Sequence, residues 1–398
     1  MEVLQQLFDM TALGELATQP GTLLMLCLGF GLLYLGIKKQ YEPLLLVPIA
    51  FGVLLANFPG GGMNIVPEDV VKAKGLLAVT KEYGIMNMLY YTLIKTGLLP
   101  PLIFMGVGAL TDFGPMLRNL RLAFFGAAAQ IGIFSVLIAA VALKMDIKEA
   151  AALGIIGGAD GPTAIYTAIK LAPHLLGPIA IAAYSYMALV PVIIPLVVRM
   201  MMSKKELRIN MRAMDKKFPN KIAIKDLRTV KILFPIVLGT LVSILVPSSV
   251  PLVGLLLFGN LIKEIGPSTE RLHKAASGPI LNIATIFLGL CVGATMDAAT
   301  FLDYTTLAII VGGFFAFCLS VAGGITAVKV YNLFSQKKIN PLVGATGLSA
   351  VPMASRVANE LALKEDPSNH ILQYAMASNI SGVIGSAIAA GVLIAALS

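Results

Sequence analysis

Apolar residues in this chain come in long runs rather than at alternating positions. The runs are 20–37, 43–56, 85–110, 121–143, 177–202, 232–247, 250–262, 279–294, 304–328 and 371–397. Segments of this kind predict helices, most of them long enough to cross a bilayer. The run at 85–110 is interrupted by Pro100-Pro101 and contains Lys95. A polar segment at 58–84, with PGGG at 59–62, separates the second and third runs. Two further stretches are neither apolar runs nor ordinary loops. GGADGPTAIYTAI at 157–169 and NPLVGATGLSAVPMASR at 340–356 are rich in glycine, proline and small polar residues.

Composition agrees with a membrane class. Of 398 residues, 57% are hydrophobic and 13% charged, with mean hydropathy +0.86, whereas about a quarter of a soluble domain is charged. The fold class expected is an all-α polytopic membrane protein. The net charge of +9 does not imply nucleic acid, because the bases sit largely in loops and read as orientation signals. The loop 203–231 carries ten bases, including Lys221 and Lys225, against Glu206, Asp215 and Asp226. It is expected to be cytoplasmic. Residues 1–19 hold Glu2, Asp9 and Glu15 and no basic cluster, so no cleavable signal peptide is expected.

The second half repeats the first. VGALTD at 107–112 returns as VGATMD at 292–297, and GADGPTA at 158–164 as GATGLSA at 344–350. The offsets, 185 and 186 residues, are nearly equal, which supports a duplicated unit of the kind many transporters contain. The expected organisation is a first membrane repeat at 1–202, the basic loop at 203–231 and a second repeat at 232–398. Placing the basic clusters inside makes the repeats inverted, each with about five spans plus one broken or re-entrant hairpin. Asp160 and the 340–349 stretch then approach each other from opposite faces.

Asp160 is the chemically distinctive residue. Gly157, Gly158, Gly161 and Pro162 make an unbroken helix improbable there, and a broken helix at bilayer depth frees backbone groups for an ion or for protein. An acid at that depth is a functional-site hypothesis; the alternative is a surface loop in which Asp160 only caps a helix.

The strings GVGALTDFGP, GGADGPTAIY, YSYMALVP, VGATMD and NPLVGATGLSAVPMASRVA resemble the β subunit of biotin-dependent, sodium-translocating decarboxylases, over nearly the whole chain. Those complexes act on oxaloacetate, methylmalonyl-CoA, glutaconyl-CoA or malonate. The resemblance implies an elevator-type transporter-like subunit that decarboxylates carboxybiotin presented by a separate carrier subunit and exports sodium ions, consuming a proton. It implies a biotin carrier and carboxyltransferase (α) subunit, a single-span γ subunit and a homo-oligomer such as a trimer, in the bacterial plasma (inner) membrane. By the same resemblance Asp160, Asn340, Gly344, Ser349 and Tyr186 serve the sodium ion. Tyr186 and Arg356 serve the chemistry, and Arg356 and Asn340 serve carboxybiotin.

The residue types suit those tasks. Sodium wants oxygen ligands, and Asp160, Asn340, Ser349 and Tyr186 offer a carboxylate, an amide and hydroxyls. A guanidinium fork at Arg356 matches a planar carboxylate better than an ammonium does. Each also has a plainer reading: Tyr186 as a packed aromatic, Asn340 as a helix start, Ser349 as a close helix contact, Arg356 as a cytoplasmic anchor. Lys95 either snorkels or pairs with an acid. Asp112 and Asp297 are expected to cap the helices that follow.

The cysteines Cys27, Cys291 and Cys318 are expected to be packing residues, and His174, His273 and His370 have no metal spacing. No ATP-binding loop or HExxH motif occurs, and ALKM at 142–145 lacks the context of a biotinylated lysine. A sodium-coupled secondary transporter of an organic anion, without covalent chemistry, is the alternative in another class.

Overall fold

The computed structural model describes residues 11, 16, 18–40, 42–218, 226–301 and 303–398. The N-terminal acids Glu2, Asp9 and Glu15, and Lys221 and Lys225 of the basic loop, lie outside the described residues. Among the described residues the secondary structure is entirely helical. Seven helices are long and apolar enough to cross a membrane, or up to nine if each of two bent pairs is one span. Many large apolar side chains on them are exposed, among them Phe30, Tyr34, Phe124, Ile138, Ile244 and Phe315. An aqueous protein does not present such a surface, but hydrocarbon solvates it. The chain is a multi-pass membrane protein.

Two compact units emerge, each discontinuous in sequence: residues 1–99 with 282–310, and residues 100–281 with 311–398. In the first unit Pro20–Lys38 packs along Pro43–Asn57. Asn57 is buried and its amide donates to the Met296 carbonyl at 2.6 Å. Lys95 pairs with Glu68 at 3.0 Å, so of its two readings the ion pair holds. The interruption of the 85–110 run falls at Gly97, which has φ +74°, with Pro100 and Pro101 in the first turn of the next helix. There the missing proline N–H groups are among those without intrahelical partners in any case.

The second unit contains both glycine-rich stretches, and its core is the C-terminal helix Leu372–Leu397, the most buried of the spans. The 177–202 run is also broken, at Leu189, into Leu176–Ala188 and Val190–Met201. Asp112 accepts from the Gly114 amide at 2.9 Å and pairs with Lys231 at 2.6 Å; the N-cap of helix Gly114–Arg118 is Phe113, so Asp112 does not cap it as expected. Cys291 is buried, whereas Cys318 is half-buried and Cys27 exposed, so packing accounts fully for only the first. No group of three or more His, Cys, Asp or Glu side chains suited to a metal occurs among the described residues.

Candidate functional site: two helix breaks joined at Gly158 and Ser349

The first break is built locally. Helix Ile147–Gly154 tightens into a turn of 3-10 helix at Ile155–Gly158, and Ala159 then adopts a left-handed φ of +54°. Asp160 follows in extended conformation, and Gly161-Pro162 opens helix Gly161–Leu171. Asp160 Oδ1 accepts from the Thr163 amide at 3.2 Å, so Asp160 caps this helix. Capping does not exclude the buried-site reading, because Asp160 is only 6% exposed and every residue from 150 to 168 is buried. A carboxylate gains from a helix N-terminus more in such surroundings than in water.

The second break runs from the short helix Leu342–Ala345 through 346–352 to helix Met353–Glu365. The two breaks meet directly: the Ser349 amide donates to the Gly158 carbonyl at 2.9 Å. One face of the C-terminal helix holds the second break in place. Thr346 Oγ1 donates to the Ala375 carbonyl at 2.9 Å, and the Asn379 amide donates to the Leu348 carbonyl. Ser349 Oγ lies 3.2 Å from the Gly382 carbonyl and 2.7 Å from Ser386 Oγ. Positions 375, 379, 382 and 386 follow helical spacing, so they share one stripe.

That stripe ends on the acid: Ser386 Oγ donates to Asp160 Oδ2 at 3.0 Å. Each hydroxyl has a single proton. If Ser386 gives its proton to the carboxylate, Ser349 is the donor to Ser386, which makes a relay from the second break to the first. The repeat position matching Asp160 in the second break is Thr346, which uses its hydroxyl on the backbone. The site therefore contains one full negative charge, and no described base forms an ion pair with it. One carboxylate among neutral oxygens balances a monovalent cation, whereas divalent sites gather several.

Three buried oxygens around the first break have no hydrogen-bond partner among the described residues: Tyr184 Oη, Ser320 Oγ and Gln130 Oε1. Each lone polar atom in so dry a place costs about 1–3 kcal/mol. Their positions are marked by the glycines of the break. A Cβ on Gly161 would stand 2.9 Å from Tyr184 Oη, one on Gly157 3.1 Å from Ser320 Oγ, and one on Gly158 3.8 Å from Gln130 Oε1.

The residues implied by the resemblance are distributed around this centre. Asp160 and Ser349 are joined through Ser386. Asn340 is fully buried; its amide donates to the carbonyls of Leu207 (2.8 Å) and Ile209 (3.1 Å), and its Oδ1 accepts from the Leu342 amide. It thus ties the backbone just ahead of the Leu342–Ala345 helix, whose N-cap is Pro341, to the basic loop. Gly344 packs backbone against backbone on Gly324 of helix Tyr304–Phe334, where any side chain on either would collide with the other's carbonyl. Tyr186 is buried with its ring 6.0 Å from that of Phe314. Arg356 is exposed on the first turn of Met353–Glu365 and forms no ion pair with a described residue.

The chain matches, over residues 21–397, the family described as Na+-transporting oxaloacetate decarboxylase beta subunit. It belongs to that family. Among its relatives is the methylmalonyl-CoA decarboxylase subunit beta of Propionigenium modestum, 47% identical and covering 94% of each chain. The oxaloacetate decarboxylase beta chain of Klebsiella pneumoniae is 44% identical over 99% of each. The methylmalonyl-CoA decarboxylase subunit beta of Veillonella parvula is 46% identical over 97% of this chain and 95% of its own. Membership in this beta-subunit family favours the decarboxylase-subunit reading over the plain secondary transporter.

Inspection of the sequence missed two members of this β-subunit site. Ser386 sits inside an apolar run, and its only signal is that Asn379, Gly382 and Ser386 recur on one helical face. Tyr184 is two residues from Tyr186, hence about 200° around the helix from it. Only one of the pair can face Gly161, and it is Tyr184.

Proposed function

We propose that this β subunit decarboxylates carboxybiotin brought by a separate carrier subunit and couples the reaction to export of sodium ions. The observation that carries the reading is the buried Asp160 carboxylate, held by Ser386, Ser349 and the Thr163 amide where two broken helices meet. In this reading Asp160 supplies the charge that replaces part of the ion's hydration shell, and Ser349 a hydroxyl ligand. Asn340 and Gly344 flank the second break and belong to the same ion path, with Tyr186 completing the set. Two compact units, each drawn from both halves of the sequence, are what an elevator-type arrangement of inverted repeats requires.

Decarboxylation of carboxybiotin breaks an N–C bond, releases CO2 and returns one proton to nitrogen. Arg356 is free to receive the carboxylate, since it is exposed and without an ion-pair partner among the described residues. Tyr186 is the proton donor in this reading. The complex comprises a biotin carrier and carboxyltransferase (α) subunit, a single-span γ subunit and several copies of this chain, in the bacterial inner membrane.

The test is turnover of carboxylated carrier by Arg356 variants, alongside sodium protection against thermal unfolding. Arg356→Lys should slow turnover and Arg356→Ala should slow it further, because the bidentate fork and then the charge are lost. Sodium protection should stay close to wild type. Wild-type turnover in both variants would make Arg356 a topological anchor.

A further inference from the structure

Gln130 stands between the two breaks, although nothing in its sequence context marks it. It is 7% exposed, in the span Leu120–Ala142. Its amide nitrogen lies 3.0 Å from the Gly126 carbonyl, 3.3 Å from that of Gly347 in the second break and 3.4 Å from that of Gly382 on the C-terminal helix. Three carbonyls around one amide nitrogen fix which end of the side chain is which, since the flipped amide would set oxygen against oxygen. Oε1 must therefore face the other way. It lies on the side of Gly158, where a Cβ would stand 3.0 Å from the Ser386 Cβ, 3.3 Å from the Ile133 Cδ1 and 3.8 Å from Oε1. Gln130 Oε1, the Ser386 side chain and the Ile133 methyl thus surround the residue whose carbonyl joins the breaks. No described donor satisfies Oε1.

We infer that Gln130 Oε1 is a ligand of the transported cation, oriented by an amide that is anchored to the second break while its oxygen faces the first. The inference rests on the cation site proposed above and adds to it a residue outside both breaks. The chemistry fits: an amide oxygen is a hard, neutral ligand, so it raises the oxygen count without adding a second negative charge. The geometry also gives Gln130 a coupling role. Displacement of Gly347 or Gly382 pulls on the same amide that presents Oε1 to Gly158.

The experiment uses the assembled complex and sodium chloride alone as the probe, with ionic strength held constant by choline chloride. The readout is the sodium concentration giving half of the maximal protection against thermal unfolding. Gln130→Met keeps the length and removes the oxygen; it should raise that concentration by about 10-fold or more. Gln130→Glu, protonated beside the carbonyls of Gly126, Gly347 and Gly382, keeps an oxygen and one O–H donor, and its rise should be smaller than that of Gln130→Met. An unchanged value in Gln130→Met, or equal loss in both variants, would overturn the ligand assignment, the second outcome placing the role in the donors. Asp160→Asn separates the two proposals: if it abolishes protection while Gln130→Met does not, only the Gln130 assignment fails. If neither variant moves the value, the cation site itself is wrong. Should Gln130→Met not assemble, Gln130→Asn draws the amide oxygen back by one methylene, and the same rise or constancy decides.

Discussion

Ser386 donates a hydrogen bond to Asp160 across 226 residues of sequence, at 3.0 Å. This contact joins the C-terminal helix to the first break, and the same hydroxyl lies 2.7 Å from Ser349 of the second. A single side chain thus reads the positions of both breaks relative to the carboxylate. An ion entering here would compete with Ser386 for Asp160 and alter the link to Ser349, which is a physical route from binding to a change in the hairpins.

Asp160→Asn keeps the shape of the side chain and removes the charge. The complex should assemble, while sodium protection and sodium-stimulated decarboxylation are lost. Ser386→Ala leaves the charge but removes its donor. A hydrogen bond to a charged group is worth about 1.5–3 kcal/mol, so the sodium needed for half protection should change by about 10-fold or more. Equal sodium titrations for wild type and both variants would mean that this carboxylate only caps its helix.

Gly132 meets Ser320 where helices Ile131–Ala142 and Tyr304–Phe334 cross, and a Cβ there would collide with the hydroxyl, the backbone nitrogen and the Cα of Ser320. Gly132→Ala should therefore destabilise the protein by about 1–3 kcal/mol, the usual range for overpacking. Because two of the three colliding atoms are Cα and backbone nitrogen, the double variant with Ser320→Gly should not recover the loss. Thermal unfolding of the three proteins checks both statements; full rescue would show that only the hydroxyl was in the way.

Asn340 and Asn369 hold the same two carbonyls, those of Leu207 and Ile209. Asn369→Ala should loosen the 203–218 segment, seen as faster tryptic cleavage at Arg208 and Arg212, without moving the sodium titration. Asn340→Ala should do both, if its place beside the second break also serves the ion. Asp366 belongs to the same tether: hydrogen bonds from Ser368, and to a lesser extent from Asn210, hold its carboxyl below the usual aspartate range. A depressed carboxylate stabilises the fold above its ordinary range and ceases to do so as pH falls through the folded value. Cleavage of this segment by pepsin, which is active in acid, should rise as pH falls through the carboxylate range, and less so in Asp366→Asn.

Orientation is tested by single cysteines in a background lacking Cys27, Cys291 and Cys318. A cysteine at Lys216 should react only with reagent supplied from the cytoplasm, and one at Lys72 only from outside. Reaction of both from the same side would rule out the inverted arrangement.

The sequence by itself determined the membrane class, most of the apolar helices and the position of both glycine-rich breaks, but not the break at Leu189 inside the 177–202 run. These are local properties: an apolar run must hydrogen-bond its own backbone, and glycine, proline and an N-capping acid interrupt a helix wherever they cluster. Asp160 was legible for the same reason, and family membership was legible in strings of adjacent residues. Tertiary structure alone decided what surrounds Asp160. Ser386 and Gln130 lie in runs whose composition says only that they are helical, and Tyr184 and Tyr186 differ by an azimuth that packing sets. Which polar atom ends on a carboxylate 226 residues away depends on the register of one helix against another. That register follows from close contacts such as Gly132 on Ser320 and Gly344 on Gly324, between residues that carry no mark of their partners.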